Sequence, residues 1–505
     1  MLREAVESNR DTAFGKEHGF SKIDGLESYR RAVPLRSYEE LASWIEQEIA
    51  GESQVLTAEE PIRYWKTTGT TARAKVLPWT PAANHRSMEA FLVVQGSLNE
   101  FYPTVQESPD GLLMTHLSPR PYRDFLGPRR IPCVTTTEVP VEVRSGREAL
   151  LAPWLLPLQQ QPVDEAQRLY FLLCYAAGHA IQGLGCLHPS RFQTVYRCLQ
   201  DRAEELLDEL GRGTVGGVAL RPPQPERAAH LREQLRQQGR LWPRDIWPGL
   251  KLLMSWSGTY IERYRPLMNE AFGGGFLAQP SVSSEGFVTV TVDEDPLAQP
   301  LQVRQSLFEF IEAVQEPGPH GCTRWFWELT TGTTYEVVVT TLAGLYRYAT
   351  RDLFRVVGWL GQIPRLEYVG RRSVCDLTGE KLAESQVEAA LGDCWRALGL
   401  MPAPAVLWGI QPQGSTELPG YVLLAETEQA ELVSHELERR LCQLNSRYAM
   451  KRGFGDLQPV RAVSLSGGEL LKLRPGSGSQ GQLKQPVLQQ GSRDNIDSLL
   501  QRTLL

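Results

Sequence analysis

Residues 336–359, EVVVTTLAGLYRYATRDLFRVVGW, carry the strongest structural signal in the sequence. The run of β-branched residues predicts a strand, the aromatic and arginine residues at 346–348 predict a turn, and the second apolar run predicts a returning strand. Asp352 stands just before that second run. Taken alone, the stretch predicts an antiparallel hairpin that carries one carboxylate.

A second informative stretch is KTTGTTARAK at residues 66–75. Hydroxyl and backbone N–H groups can donate hydrogen bonds to phosphate oxygens, a glycine lets the backbone come close, and Lys75 supplies a positive charge. The same letters on their own also fit a polar β-turn that binds nothing. The residues of this candidate phosphate loop are Thr67, Thr68, Gly69, Thr70 and Thr71.

A third stretch, SVSSEG at residues 281–286, follows the strand-like run FLAQP. By itself it fits a serine-rich turn with a helix cap. The polar residues of interest are Ser283, Ser284, Glu285 and Gly286.

The order and separation of these three stretches resemble the three nucleotide-binding motifs of the acyl-adenylate-forming enzymes. The chain is most similar to the Gretchen Hagen type of acyl acid–amido synthetases, which join carboxylic acids to amino acids in plants. The likeness runs from FGKEHGFSKI at 14–23, through LFEF at 307–310, to GQLKQP at 481–486. Each motif is weak singly, but their order along nearly the whole chain is specific.

The resemblance implies an α/β protein with the two-domain adenylate-forming (luciferase-like) fold. In that fold a large N-terminal α/β domain of stacked sheets and helices is followed by a small, mobile α+β C-terminal domain that closes on it. We expect the boundary soon after Arg372, which gives domains of residues 1–372 and 373–505. The order helix, strand, strand, helix, strand predicted beyond the boundary suits a small α+β domain.

The resemblance also implies roles for individual residues. The turn at 283–286 lines the adenine and the α-phosphate of ATP, and Glu285 binds Mg²⁺, a hard cation that takes one or two carboxylates together with phosphate oxygens. Asp352 accepts hydrogen bonds from both ribose hydroxyls, because its two oxygens can accept in parallel. Tyr346 belongs to the same nucleotide-binding motif.

Two segments downstream resemble the region that links the domains and the catalytic end of the small domain. Arg371 would assist the ribose, and Gly379 would give the linker its bend. Lys484, in a Gly/Ser-rich segment, would bridge the attacking carboxylate and the α-phosphate as negative charge develops. The alternative for Lys484 is a solvated lysine in a flexible tail.

The chain departs from the family pattern at three positions. Thr68 stands where Ser is usual, Ala72 where Gly is usual, and Arg351 where a Gly usually precedes the ribose-binding Asp. If that glycine position needs a positive φ, Arg351 strains or reshapes the turn. The alternative is that Arg351 points to solvent or toward phosphate.

Composition restricts the class of protein. At 505 residues the chain is too long for one core. The 53 basic and 59 acidic residues give a net charge of −6, so we expect no nucleic-acid partner. Eight cysteines without a C-x-x-C pair predict reduced thiols, and the charged N-terminal segment has no apolar signal region. We therefore expect a soluble, cytoplasmic protein, acting as a monomer.

Several other residues are predicted to be structural. The apolar stretch at 170–187 is interrupted by His179 and predicts a buried helix rather than a membrane span, with His179 packed in the core. Glu309 predicts a buried structural carboxylate. The aromatic residues at 242–264 fit either an acyl pocket or core packing.

The sequence therefore predicts an AMP-forming ligase that uses ATP and Mg²⁺. A carboxylic acid would be activated to an acyl adenylate, and an amine, by resemblance an amino acid, would then attack to give an amide. Two alternatives remain. One is a ligase that forms a thioester, and the other is a non-catalytic relative that binds a nucleotide or acyl ligand. The sequence names neither the acid nor the amine.

Overall fold

The computed structural model describes most of the chain. The described residues are 1–66, 75–107, 111–115, 118–120, 124–135, 138–140, 165–187, 189–258, 261–313, 322–372, 374–375, 377–378, 380, 382–410, 418–454, 456–472 and 487–491.

Helices dominate the first hundred residues and residues 165–272, and others lie beyond residue 383. In chain order they are α1 (Leu2–Glu7), α2 (Ala13–Glu17), α3 (Leu26–Ala32), α4 (Tyr38–Ile49), α5 (Pro81–Phe101), α6 (Pro103–Glu107), α7 (Glu165–Ala176), α8 (Ser190–Asp201), α9 (Ala203–Arg212), α10 (Pro225–Gln238), α11 (Pro243–Ile246), α12 (Ile261–Leu267), α13 (Glu384–Ala397), α14 (Ala430–Leu444), α15 (Ser446–Phe454) and α16 (Glu469–Lys472). Short 3₁₀ segments lie at Phe20–Lys22 and Phe326–Glu328, and a π-helical segment lies at Met268–Phe272.

Strands concentrate in the middle of the chain and in the small C-terminal region. In chain order they are β1 (Arg63–Lys66), β2 (Val76–Trp79), β3 (Leu112–Met114), β4 (Ser118–Arg120), β5 (Asp124–Leu126), β6 (Ile131–Val134), β7 (Glu138–Pro140), β8 (Gly183–Gly185), β9 (Thr214–Val215), β10 (Val218–Ala219), β11 (Leu252–Trp256), β12 (Gly275–Gln279), β13 (Val282–Ser283), β14 (Gly286–Phe287), β15 (Ala298–Pro300), β16 (Leu307–Glu312), β17 (Arg324–Trp325), β18 (Thr334–Thr340), β19 (Tyr348–Leu360), β20 (Ile363–Arg371), β21 (Val374–Cys375), β22 (Leu382–Ala383), β23 (Ala405–Ile410), β24 (Gly420–Ala425), β25 (Arg461–Ser464) and β26 (Leu488–Gly491).

Helices α4 and α5 begin at capping residues that can be recognised in the sequence. At the start of α4, Ser37 Oγ accepts the N–H of Glu40 while the Glu40 carboxylate accepts the N–H of Ser37, a reciprocal capping box. At the start of α5, Thr80 Oγ1 accepts the N–H of Ala83, and Pro81 occupies the first turn.

The predicted hairpin lies at the centre of a six-stranded antiparallel sheet with the order β15-β20-β19-β18-β16-β17. β18 and β19 are its two arms, so the prediction from residues 336–359 is confirmed. The N-terminal helices cover this sheet, because Phe14, Phe20 and Tyr29 share one buried cluster with Val337, Val339 and Phe354. The first residues of the chain therefore pack on strands that are formed some three hundred residues later.

A buried arginine, Arg347, joins these two parts of the chain. Arg347 binds Glu309 through two nitrogens, each 2.9 Å from a carboxylate oxygen, and both side chains are 1% exposed. The third guanidinium nitrogen of Arg347, Nη1, donates to the carbonyl oxygens of Arg30, at 3.1 Å, and Val33, at 2.8 Å. Bidentate pairing and these extra bonds compensate both buried charges, so the prediction of a structural Glu309 is confirmed.

A second layer is a parallel sheet with the order β12-β11-β8-β3, next to a cluster of helices from α7 to α12. The prediction of one buried helix at 170–187 is wrong in its second half. Helix α7 ends at Ala176, and the chain continues into the buried strand β8. Small residues suit β8, because a Cβ at Gly185 would lie 2.2 Å from Met114 Sδ on the neighbouring strand.

The region beyond Arg372 has the predicted α+β pattern. A four-stranded sheet with the order β25-β24-β23-β26 packs with α13 and α14. Strands β23 and β24 are buried along their whole lengths. A second buried cluster that includes Trp408, Val422 and Leu470 covers the other face of the sheet. The boundary itself stays a prediction.

Within the described part of the chain, every helix is too short or too polar to cross a membrane.

Candidate active site

The candidate phosphate loop connects the two strands of a hairpin. β1 and β2 are antiparallel, and their last pair is Lys66 with Val76, so residues 67–75 form the connection between them. Thr67, Thr68, Gly69, Thr70 and Thr71 lie outside the described residues. Their roles stay predictions.

The far end of this loop meets the central sheet. Lys75 Nζ lies 3.3 Å from the hydroxyl of Tyr348, the first residue of β19. The same ammonium lies 5.2 Å from the ring centre of Tyr38 and 5.8 Å from that of Tyr348, within cation–π range of both. The fold therefore brings the end of the stretch at 66–75 against the strand that carries Asp352.

Two further hydrogen bonds hold the loop's second strand in place. The Tyr38 hydroxyl accepts the N–H of Val76 at 2.9 Å, at the start of β2. At the other end of β2, Thr80 Oγ1 donates to the carbonyl of Leu342, in the turn between β18 and β19, at 3.0 Å. Both ends of β2 are thus held by partners distant in the sequence, α4 on one side and the central hairpin on the other.

Tyr346, assigned to the nucleotide-binding motif by resemblance, lies in the core of this structure. Its side chain is 0% exposed, stacks on Phe14 with ring centres 4.5 Å apart, and donates its hydroxyl hydrogen to the Leu56 carbonyl at 2.8 Å. This leaves no face of the ring for a ligand. Tyr346 is a core residue that anchors the turn to the N-terminal helices.

Asp352 lies on a bulge of β19. Across the β18–β19 ladder, Glu336 pairs with Leu353 and Val338 with Ala349, so Thr350, Arg351 and Asp352 together face only Val337. Such extra residues leave the regular ladder and can re-aim a side chain, and this is common beside active sites. The Thr350 hydroxyl accepts the N–H of Asp352 at 3.1 Å and donates to the Val337 carbonyl at 2.8 Å.

Arg351 adopts the backbone conformation that the family's glycine suggested. Its φ is +67°, in the left-handed region that costs a residue with a Cβ about 1–2 kcal/mol. Its side chain is exposed. The bulge is therefore present with arginine in place of glycine, and the sequence departure adds strain without removing the turn.

The residue opposite Asp352 in the sheet is Arg371. The two Cα atoms are partners in the antiparallel ladder of β19 and β20, and Leu353 pairs with Gly370 next to them. The backbone thus places the predicted ribose residues Asp352 and Arg371 side by side. The direction of the Arg371 side chain lies outside what the structure describes.

The motif at 281–286 forms a tight hairpin of β13 and β14, in which Ser283 pairs with Gly286. Ser284 Oγ donates to Glu285 Oε2 at 3.0 Å, and Ser283 Oγ accepts the Glu285 N–H at 3.3 Å. Gly286 has φ +129°, and a Cβ there would lie 2.7 Å from the Gln305 amide nitrogen. Glycine is required at this position on both grounds.

Glu285 is the residue whose chemistry fits a cation. It is 7% exposed, and its partner Ser284 offers a second oxygen. Among the described residues there is no group of three or more His, Cys, Asp and Glu side chains that could hold a metal by themselves. One carboxylate suits Mg²⁺ that also binds phosphate oxygens.

The Glu39 carboxylate is influenced by positive charges from both the loop and the bulge. A hydrogen bond from its own backbone N–H lowers the pKa of Glu39, and the positive charges of Lys75 and Arg351 lower this pKa further. Glu39 is the second residue of α4, next to Tyr38. Lys75 at the end of the loop and Arg351 on the bulge therefore lower the pKa of the same carboxylate.

Other predicted residues have mixed outcomes. Lys484 and Gly379 lie outside the described residues and stay predictions. His179 stacks on Tyr175 with ring centres 4.2 Å apart and its Nδ1 lies 2.9 Å from the Tyr175 carbonyl oxygen, a half-buried packing role. Trp242 and Trp247 belong to the buried helical cluster, which favours core packing for them.

Sequence reasoning missed three residues that shape the site: Tyr38, Tyr348 and Glu336. Glu336 could have been found, because it is a charged residue inside the apolar run YEVVVT at 335–340, and a buried carboxylate needs a partner. The two tyrosines gave no comparable signal, since aromatic residues are equally common in cores.

Known protein families match most of the chain. The GH3 family N-terminal domain matches residues 1–276, and the GH3 family central domain matches residues 300–371. The indole-3-acetic acid-amido synthetase GH3.3 of Arabidopsis thaliana is 23% identical over 503 residues, which cover 90% of this chain and 81% of that protein. The 4-substituted benzoates-glutamate ligase GH3.12 of Arabidopsis thaliana is 24% identical, over 74% of this chain and 67% of that protein.

Solved structures agree on the fold. The acyl acid amido synthetase AtGH3.15 in complex with 2,4-DB has a TM-score of 0.77 at 20% identity, covering 99% of this chain and 92% of its own. A 2-hydroxyisobutyryl-CoA ligase in the postadenylation state has a TM-score of 0.51 at 14% identity, covering 100% and 90%. At these identities the likeness shows the fold alone, and it confirms the predicted adenylate-forming α/β architecture.

Proposed function

The chain belongs to the GH3 family, and from that membership we propose that it is an ATP-dependent acid–amine ligase. In the first half-reaction a carboxylate oxygen bonds to the α-phosphorus of ATP and pyrophosphate leaves. In the second, an amine attacks the acyl carbon, AMP leaves, and the amine loses a proton to give the amide. The observation that carries this proposal is the contact of Lys75 with Tyr348, which joins the phosphate loop to the strand of Asp352.

The proposed division of labour follows the position of each motif. Residues 67–71 and Lys75 hold the triphosphate, because hydroxyls, backbone N–H groups and an ammonium all favour phosphate oxygens. The hairpin at 283–286 lines the adenine and the α-phosphate. Asp352 accepts from the ribose hydroxyls, with Arg371 beside it.

We propose that ATP enters with Mg²⁺ and that Glu285 is its protein ligand. Glu285 would hold the ion, which would supply positive charge next to the phosphate oxygens. The Glu285 carboxylate and the neighbouring Ser284 hydroxyl offer the oxygen ligands that Mg²⁺ prefers.

We also propose that residues 373–505 form a small domain that moves relative to residues 1–372. Two half-reactions at one nucleotide site need different groups beside the α-phosphorus, and a rotating domain supplies them in turn. Lys484 is assigned to the first orientation, where its ammonium stabilises the charge that develops on carboxylate and phosphorus.

The remaining proposals concern the substrates, the oligomeric state and the cellular compartment. The substrates are a small carboxylic acid and an amine or amino acid, and the protein acts as a monomer in the cytoplasm. Eight free cysteines support a reducing compartment.

Pyrophosphate exchange tests activation independently of the acceptor. Labelled pyrophosphate should enter ATP only when the correct acid is present, so a panel of acids that includes indole-3-acetic acid and 4-substituted benzoates is supplied one by one. A second assay offers the active acid with twenty amino acids or with coenzyme A and identifies the product by mass. Acid-dependent exchange with an amide product supports the proposal. Thioester formation selects the alternative ligase, and absence of exchange with every acid contradicts ligase activity.

A further inference from the structure

The bulge that carries Asp352 needs interactions beyond the regular ladder to keep its shape, since three residues of β19 face a single residue of β18. Regular ladder bonds are interrupted there, and Arg351 is held in a left-handed conformation that arginine disfavours. Glu336 lies at the base of the bulge. It is a carboxylate on β18 that is 2% exposed, and its direct ladder partner is Leu353.

The two oxygens of Glu336 bind different parts of the site. Oε1 accepts the backbone N–H of Arg351 at 3.2 Å, and Oε2 lies 2.8 Å from Nε of Arg372. The backbone N–H of Arg372 in turn donates to the carbonyl of Arg351 at 2.6 Å. Arg351 is thus held at its N–H by Glu336 and at its C=O by the partner of Glu336.

Arg372 extends this network to the next strand. Its Nη2 donates to the carbonyl oxygens of Glu312, at 3.3 Å, and Ala313, at 3.1 Å, where β16 ends. Arg372 is also the last residue of the proposed large domain. Glu336 therefore contacts the bulge and the exit toward the small domain at the same time.

We propose that Glu336 is a positioning residue for the nucleotide. It fixes the Thr350–Arg351 peptide directly and the Arg351–Asp352 peptide through Arg372, so that the Asp352 carboxylate faces the ribose. The inference rests on the proposed function, because it assigns a role within the same nucleotide site. Glu336 does not touch the substrate and acts only through Arg351 and Arg372.

Electrostatics around Glu336 agree with this role. Burial raises the pKa of Glu336, the charge of Arg372 and the N–H of Arg351 lower it, and the negative charge of Asp352 raises it. The negative charge of Asp352 therefore opposes ionisation of Glu336, and the positive charge of Arg372 favours it. A neutral glutamine at 336 would keep an acceptor for Arg351 and lose the attraction for Arg372.

Three variants separate positioning from general stability. Glu336→Leu removes both interactions, and Glu336→Gln keeps the acceptor. Glu367→Gln is the matched control, because Glu367 is a 4% exposed carboxylate in the same sheet, paired with Arg355 at 3.0 Å. The readouts are the dissociation constant of AMP by calorimetry, hydrogen–deuterium exchange of the amides at 349–353, and the melting temperature.

We expect Glu336→Leu to weaken AMP binding about tenfold and to speed exchange at 349–353, since it leaves the Arg351 N–H without its acceptor. Glu336→Gln should stay within about threefold of wild type, because the acceptor remains. Glu367→Gln should change neither readout. If Glu336→Leu does not fold, Glu336→Gln decides: it loses the attraction for Arg372, so exchange at 349–353 should be faster than in Glu367→Gln, and equal exchange overturns the positioning role.

The outcomes are distinguishable from a failure of the proposed function. A folded Glu336→Leu variant with wild-type AMP affinity and exchange overturns the positioning role. Wild-type protein that binds AMP but shows no acid-dependent pyrophosphate exchange contradicts the ligase proposal, while the AMP affinities of the variants still decide on Glu336. Wild-type protein that does not bind AMP overturns both.

Discussion

The ammonium of Lys75 lies 3.3 Å from the hydroxyl of Tyr348, although 273 residues separate the two in the chain. Lys75 ends the candidate phosphate loop, and Tyr348 begins the strand that carries Asp352. The contact therefore sets the spacing between the group proposed to bind the triphosphate and the group proposed to bind the ribose.

Lys75→Ala should weaken ATP binding about tenfold or more and leave AMP binding nearly unchanged, because the lost charge acts on the phosphates that AMP lacks. Calorimetry with both nucleotides measures the difference. Lys22→Ala, at an exposed lysine, is the control and should change neither affinity. Equal losses for ATP and AMP would instead place Lys75 near the α-phosphate or the nucleoside.

Asp352→Ala should weaken ATP and AMP binding alike, by about 1.5–3 kcal/mol, since it removes charge-assisted hydrogen bonds to the ribose. Asp352→Asn keeps one acceptor oxygen and should fall between the alanine variant and wild type. Calorimetry on folded protein gives both values. Wild-type affinity in the alanine variant would remove Asp352 from the ribose site.

Arg351→Gly should raise the free energy of unfolding by up to about 1 kcal/mol, because glycine adopts φ +67° without the Cβ penalty but loses more entropy on folding. Chemical denaturation measures this value. Pyrophosphate exchange by the same variant should be similar or faster. A loss of more than about tenfold would show that the exposed guanidinium, whose charge lowers the pKa of Glu39 as that of Lys75 does, has been recruited to bind phosphate.

Lys484→Ala should slow acyl-adenylate formation by about 10²–10³, the usual effect of removing one preorganised donor from a charged transition state. AMP binding should be unaffected, and so should amide formation from synthetic acyl adenylate. Single-turnover measurements of each half-reaction separate the steps. Equal adenylation rates in variant and wild type would make Lys484 a solvated lysine.

Glu48 should make the stability of the protein depend on pH. It is 5% exposed, its Oε2 has no hydrogen-bond partner among the described residues, and burial raises its pKa from 4.5 to about 8. Because the folded pKa lies above the unfolded value, the contribution to stability is complete below about pH 4.5 and is lost as the pH rises toward 8.

Glu48→Gln should therefore be more stable than wild type at pH 8, by on the order of 3 kcal/mol, and similar to it at pH 5. Urea denaturation at several pH values gives the difference. Parallel stability curves for the two proteins would mean that Glu48 is already ionised and paired in the folded state.

Local patterns predicted the elements well, because each depends on residues close in the chain. The cap at Ser37, the helix start at Thr80-Pro81 and the two arms of the central hairpin all follow from side chains within four residues of one another or from a run of β-branched or apolar residues. Helix α7 was overextended, since apolar composition alone does not distinguish a buried helix from the buried strand β8.

The site was harder to predict, because its geometry depends on distant partners. Tyr346 and Tyr348 are separated by one residue in the same motif, yet Tyr346 is stacked on Phe14 in the core and Tyr348 contacts Lys75. Which tyrosine faces the loop depends on how the N-terminal helices pack on β19. The bulge at Asp352 depends on Glu336 and Arg372, and no short window of sequence contains all three.

The bonds from Arg347 to the carbonyls of Arg30 and Val33 have a consequence for biosynthesis. At about 5–20 residues per second, a ribosome needs roughly 15–60 s to add the 314 residues between Val33 and Arg347. During that time the N-terminal helices lack the sheet on which they pack. The match to the GH3 N-terminal domain ends at residue 276. A nascent chain that has emerged only to this point should therefore expose Phe14, Phe20 and Tyr29 to chaperones instead of folding as a unit.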